Sequence, residues 1–122
     1  MRLAALSLLL LTVSTTSTAS EVPASVTATG WFSDLKCATS RAATGRIGPT
    51  GRACSEKCLA NGVKLAFIDE KAKAVFEVDN PKAGKALLGD HVEIVATKSG
   101  AKTLHITSVT ILEKYVARCD VN

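Results

Sequence analysis

The chain has 122 residues, 47% of them apolar, with 15 Lys and Arg against 11 Asp and Glu and a formal charge of +4. That mild, interspersed balance, with Trp31, Phe32, Phe67, Phe76 and Tyr115 as the only aromatic residues, lacks the clustered cations and stacking rings of a nucleic-acid binder, and nucleic acid is disfavoured as a partner. Length allows one domain and excludes a second core, since about 100 residues remain once the first twenty are set aside.

Those first twenty residues form a unit of their own. Arg2, a largely apolar run from Leu3 to Leu11 and the small-residue stretch Ser17-Thr18-Ala19-Ser20 make the three-part pattern of a secretory signal peptide. Cleavage is expected after Ala19 or Ser20, which removes Arg2 and lowers the charge by one. The run is too short to span a bilayer, so no transmembrane anchor is expected. No cysteine follows the junction to carry a lipid. The sequence thus reads as a signal peptide over 1–20, a tether over 21–25 containing Pro23, and one domain over 26–122, secreted or periplasmic.

The domain opens with a strand over Val26 to Lys36, rich in Val, Thr and aromatics, with Gly30 marking a bulge or a close backbone approach. The stretch from Ala38 to Gly51, with Gly45, Gly48, Pro49 and Gly51 among Arg41, Arg46 and Arg52 beside it, reads as a long loop. A short helix over Arg52 to Asn61 follows, stopped by Asn61-Gly62, and it sets Cys54 and Cys58 on one face, a turn apart. Val63 to Asp69 and Ala74 to Asp79 read as a hairpin joined by the polar Glu70-Lys71-Ala72-Lys73.

Asn80-Pro81 breaks the third strand, and Pro81 suits the first turn of a short helix to about Leu88, ended by Gly89. His91 to Thr97 alternates as a fourth strand, and Lys102 to Leu112 is the fifth. Within the fifth, Leu104 and Ile106 share one phase and Val109 and Ile111 the other, which predicts a bulge of the kind that bends a strand around a small barrel. The predicted class is mainly β: a five-stranded OB-fold-like barrel, with a helical insertion between strands 1 and 2 and a short helix between strands 3 and 4.

Two sets of residues carry a resemblance. Lys64-Leu65-Ala66-Phe67-Ile68-Asp69, Val75-Phe76-Glu77-Val78, Gly89-Asp90-His91-Val92-Glu93-Ile94 and Thr103-Leu104-His105-Ile106 resemble the second half of small exported bacterial OB-fold domains. Gly30-Trp31-Phe32-Ser33-Asp34, then Cys37, Cys54 and Cys58, and Asn61-Gly62 look like a group of uncharacterised exported bacterial proteins with the same cysteine spacing. The resemblance runs from about Thr29 to Leu112 and implies an OB-type fold and export, but no activity; Cys119 lies outside it.

Four cysteines in an exported chain point to disulfides, and sequence alone permits three pairings. An OB-like order puts the end of the first strand beside the inserted helix, favouring Cys37 with Cys58. A last strand parallel to the third brings the C-terminal segment to the same end, favouring Cys54 with Cys119. A direct Cys54 to Cys58 bond ranks last, because both Cβ vectors point the same way along the helix. The competing reading is a zinc or copper site built from the thiolates of Cys37, Cys54 and Cys58, with His91 or His105 available as a fourth ligand.

His91 and His105 otherwise read as outward-facing polar residues, and Asp69, Glu70, Asp79, Asn80 and Asp90 as turn formers without calcium-loop spacing. No nucleophile, base and orienting group come together, so no enzyme and no cofactor are expected. Trp31 with Arg41, Arg46 and Arg52 forms a candidate patch for a small molecule, an oligosaccharide or an envelope component. The leading expectation is therefore an exported, disulfide-stabilised binding or envelope module, with a soft-metal protein second and an enzyme third. Nothing in the sequence sets the oligomeric state.

Overall fold

The computed structural model describes residues 24–116; the expected signal peptide, most of the expected tether and Cys119 fall outside that range. Five strands close into a ring in the order β1-β2-β3-β5-β4, where β1 is Ser25–Asp34, β2 Leu65–Asp69, β3 Ala74–Val78, β4 His91–Gly100 and β5 Thr103–Glu113. The protein is thus mainly β, with short helices between strands.

β1 holds the ring together by pairing on both sides. Its first part, Ser25 to Trp31, runs antiparallel to β4, and Gly30 to Asp34 runs antiparallel to β2. The change of partner centres on Gly30, where a Cβ would stand 1.8 Å from the Ile68 carbonyl oxygen, so the close approach expected at this glycine is present. A hairpin joins β2 to β3, and β3 meets β5 in parallel through Glu77 opposite Thr103 and Val78 opposite Leu104. The phase change in β5 falls at Thr107: Ala96 faces Ile106 while Val95 faces Ser108, leaving one extra residue on β5. Thr107 donates its hydroxyl to the Val95 carbonyl at 2.8 Å across that irregularity.

The ring encloses Phe32, Leu65, Phe67, Val78, Val92, Ile94, Ala96, Leu104 and Ile106, with Leu88 closing one end. Phe32 and Phe67 meet edge to face at 5.6 Å, the preferred geometry for two ring quadrupoles. The chain after β3 forms two 3₁₀ turns, Pro81–Ala83 and Lys85–Leu87, in place of the single helix expected from Pro81 to Leu88. Gly84 divides them and lies so close to Phe32 that a Cβ would meet its ring at 2.5 Å; the core aromatic leaves no room for a continuous helix with side chains on that face.

The segment between β1 and β2 departs most from expectation. Its first part is helical: α1, Leu35–Ala43, occupies what reads in sequence as the extension of β1 and the start of a loop. The buried Asp34 side chain ends β1 and caps α1 by accepting the Cys37 N–H at 2.8 Å, and Arg41 sits favourably in the last turn. Only 44–51 remains irregular before α2, Arg52–Ala60, which coincides with the expected helix. α1 lies on the outer face of β2 and β3. Ala38, Ala66 and Ile68 are buried there, with Trp31, Leu35, Ile47 and Val75 packed around them. β2 is therefore covered on both faces, whereas its sequence reads as alternating. None of the described helices is long and apolar enough to cross a membrane.

Candidate metal centre

Two helix starts converge at one end of the ring. Cys37 lies in the first turn of α1, while Cys54 and Cys58 share a face of α2 at a spacing of four. α2 is anchored by Arg52, whose Nε donates to the Leu88 carbonyl at 2.7 Å and whose guanidinium pairs with Asp90 at 3.0 Å. The same guanidinium covers the Tyr115 ring at 5.0 Å. The result brings the sulfur atoms of Cys37, Cys54 and Cys58 within 4.8 Å of one another. Cys37 and Cys54 stand 3.9 Å apart.

Beneath the sulfurs runs a buried chain of hydroxyls ending on a carboxylate. Ser33 Oγ meets Thr50 Oγ1 at 2.5 Å, Thr50 meets Ser55 Oγ at 2.9 Å, and Ser55 donates to Asp34 Oδ1 at 2.9 Å. These four residues come from β1, from the loop and from α2, so the chain ties together the pieces that carry the cysteines. Asp34 and Ser55 are the site residues that sequence reasoning passed over. Their only local signals are the spacing of Asp34 three residues before Cys37, which suits an N-cap, and the adjacency of Ser55 to Cys54.

The electrostatics work against free thiolates. Burial pushes the Cys37 thiol up to about 12, and the neighbouring Asp34 carboxylate and Cys54 add to the shift. Cys58 is raised by burial first and then by the charge of Asp34. Burial opposes ionisation of Asp34 as well, but the Cys37 N–H and the Ser55 hydroxyl outweigh it and hold this carboxyl below its ordinary value. Such thiols are the opposite of an activated nucleophile, whose pKa is depressed. A cation that displaces their protons is the natural means of stabilising three thiolates at one point.

The distances argue against a formed bond and leave room for a shared ion. A disulfide needs sulfurs about 2.05 Å apart, and no pair among the described cysteines stands at that distance; Cys37 and Cys58, the favoured partners, lie within the 4.8 Å cluster as separate thiols. Sulfurs each about 2.3 Å from one ion are separated by about 3.8 Å in a tetrahedral set and about 4.0 Å in a trigonal one. The Cys37 to Cys54 separation of 3.9 Å falls between these values. The expected pairing of Cys54 with Cys119 lies outside the described residues.

Neither histidine joins the three sulfurs as a ligand. His91 stacks on Trp31 at 5.1 Å, and its Nε2 lies 2.9 Å from a Glu70 carboxylate oxygen. His105 pairs with Asp79 at 2.7 Å. Asp69 caps the turn after β2 through the Lys71 and Ala72 N–H groups, Asn80 brackets the Ile106 backbone, and Asp90 holds Arg52 and the Tyr115 N–H. These oxygens serve the backbone and the Arg52 guanidinium and do not converge on one point.

The four residues proposed for a ligand patch are also dispersed. Trp31 is half-buried and borders a groove of about 820 Å³ shared with Glu70, His91, Glu113 and Tyr115. Arg41 lines a different, smaller groove beside Cys37 and Cys54. Arg46 rests near Thr44, its Nε donating at 3.4 Å, and Arg52 is committed to Leu88 and Asp90. Arg41 is carried away on α1, while Arg52 covers the Tyr115 ring that lines the same groove as Trp31. No protein-family model, curated protein or solved structure matches this chain.

Proposed function

We propose that this chain is a small exported OB-type module that binds a soft metal ion, zinc or monovalent copper, through Cys37, Cys54 and Cys58, and that it has no catalytic activity of its own. The observation that carries the reading is the convergence of three sulfurs within 4.8 Å from two separate helices. Thiolate ligands select these soft ions over magnesium or calcium. The ring order β1-β2-β3-β5-β4, with its parallel β3 to β5 closure, supports the OB-type assignment, and the pattern of residues 1–20 supports export. On a tetrahedral ion such as zinc, three protein thiolates leave a position open, the arrangement of an exchanging site more than of a closed structural one.

A second reading keeps the sulfurs as structural disulfides that include Cys119 and moves function to the groove beside Trp31, where an oligosaccharide would stack. The even cysteine count and the half-buried Trp31 to His91 stack at the groove favour it. Mass spectrometry of protein taken from an oxidising exported compartment separates the two. Native mass with one bound metal, lost in Cys54→Ser, and thiols that alkylate after the metal is stripped would support the metal site. A denatured mass four hydrogens below the reduced value, with no metal and no alkylation, would refute it and support the disulfide module.

A further inference from the structure

Beside the sulfurs lies a groove of about 310 Å³ that neither reading has used. Cys37 and Cys54 form one wall; Lys36, Ser40, Arg41 and Thr50 complete it. Its surface is mostly apolar, with the charges of Lys36 and Arg41 along it; Arg41 Nε is closed off from solvent and makes no hydrogen bond among the described residues. A buried guanidinium N–H without an acceptor costs on the order of 1 to 3 kcal/mol. An acceptor in the groove recovers that cost once the Arg41 side chain turns its N–H toward it. The two thiols facing this groove are two of the three metal ligands, so any donor held there stands next to the ion.

Resting on the metal reading, we infer that the open coordination position faces this groove and takes a small monoanionic ligand, a carboxylate or a soft inorganic anion, gripped by Arg41 and Lys36. The charges fit. Three thiolates around a divalent ion carry one net negative charge, and a bound monoanion makes two. Lys36 and Arg41 supply two positive charges at the same wall. The charge of Asp34 is met separately, by the N-terminus of α1 and the Ser55 hydroxyl. A divalent ion with tetrahedral preference follows, because a trigonal monovalent ion would leave no position for the anion. The site is then a receptor for a metal and anion pair, not for a bare ion.

Cobalt(II) loaded in place of zinc, titrated with thiocyanate and followed by its ligand-field and thiolate charge-transfer bands, tests this. Wild type should show a saturable shift of the ligand-field bands. Arg41→Gln should weaken thiocyanate binding by about tenfold or more, the loss expected for one charge-assisted hydrogen bond, with cobalt stoichiometry and melting temperature unchanged. Bands that ignore the anion would overturn the proposal while leaving the metal site intact. A response found in Cys119→Ser but not in wild type would overturn it too, by showing the position filled from within the chain. Failure of the thiolate charge-transfer bands to form at all would refute the metal reading beneath it.

Discussion

Replacing Asp34 by alanine tests the link between the buried carboxylate and the arrangement of the cysteines. Asp34 makes two bonds: it accepts the Cys37 N–H at 2.8 Å, capping α1, and the Ser55 hydroxyl at 2.9 Å. Loss of an N-cap costs about 0.5 to 2 kcal/mol. The orphaned Ser55 hydroxyl adds about 1 to 3 kcal/mol, at the lower end because Ser55 can turn fully to Thr50, already 2.9 Å away. The expected loss is therefore about 2 to 4 kcal/mol, a large part of the roughly 5 to 15 kcal/mol available to a domain of this size. Urea unfolding followed by fluorescence is the assay, since the single Trp31 packs in the cluster formed by α1 and β2 and reports their separation. Asp34→Asn supplies the control. Its amide oxygen can still accept the Cys37 N–H and its NH₂ can donate to Ser55, so it should lose less than about 1 kcal/mol. An alanine variant within about 0.5 kcal/mol of wild type, or an asparagine variant as damaged as the alanine one, would refute the capping argument.

Two further predictions concern the ring itself. Gly30→Ala places a methyl group 1.8 Å from the Ile68 carbonyl oxygen, relieved only by parting β1 from β2. It should cost about 3 kcal/mol or more in the same urea assay, and a loss below about 1 kcal/mol would show that the strands do not approach so closely. Asp79 has a lowered pKa, first through the Ser99 hydroxyl and then, against some burial, through His105. A depressed carboxyl contributes stability that is complete above its unfolded pKa, near 3.9, and is lost as pH falls through the lower folded value. Thermal melts from pH 6 downward should therefore show an acid-side decline that is smaller in Asp79→Asn; parallel curves for the two proteins would contradict it.

Much of the ring is written locally. The alternation and turn residues of β2 to β5 mark each strand, and the split phase of Leu104 and Ile106 against Val109 and Ile111 marks the bulge now seen at Thr107. α2 is also legible, and with it the placement of Cys54 and Cys58 one turn apart, since helical spacing needs no knowledge of the rest of the chain. α1 is not. Its nine residues are short, their neighbours are rich in glycine and proline, and the cap that starts the helix is a carboxylate whose burial depends on Ser55 in α2.

The same division runs through the candidate site. Sequence alone determines that three cysteines lie in the inserted segment and that two share a helical face; period and propensity act over a few residues and are read directly from their order. Tertiary structure decides that Cys37 crosses a separation of 17 residues to meet Cys54, that Arg41 lines the groove beside them, and that Arg52 pairs with Asp90. Those choices depend on docking α1 through Ala38 against Ala66 and Ile68 of β2, and on the buried Ser33, Thr50, Ser55 and Asp34 chain. They arise from packing and from satisfying buried polar groups across elements, and neither of these is encoded in a local pattern.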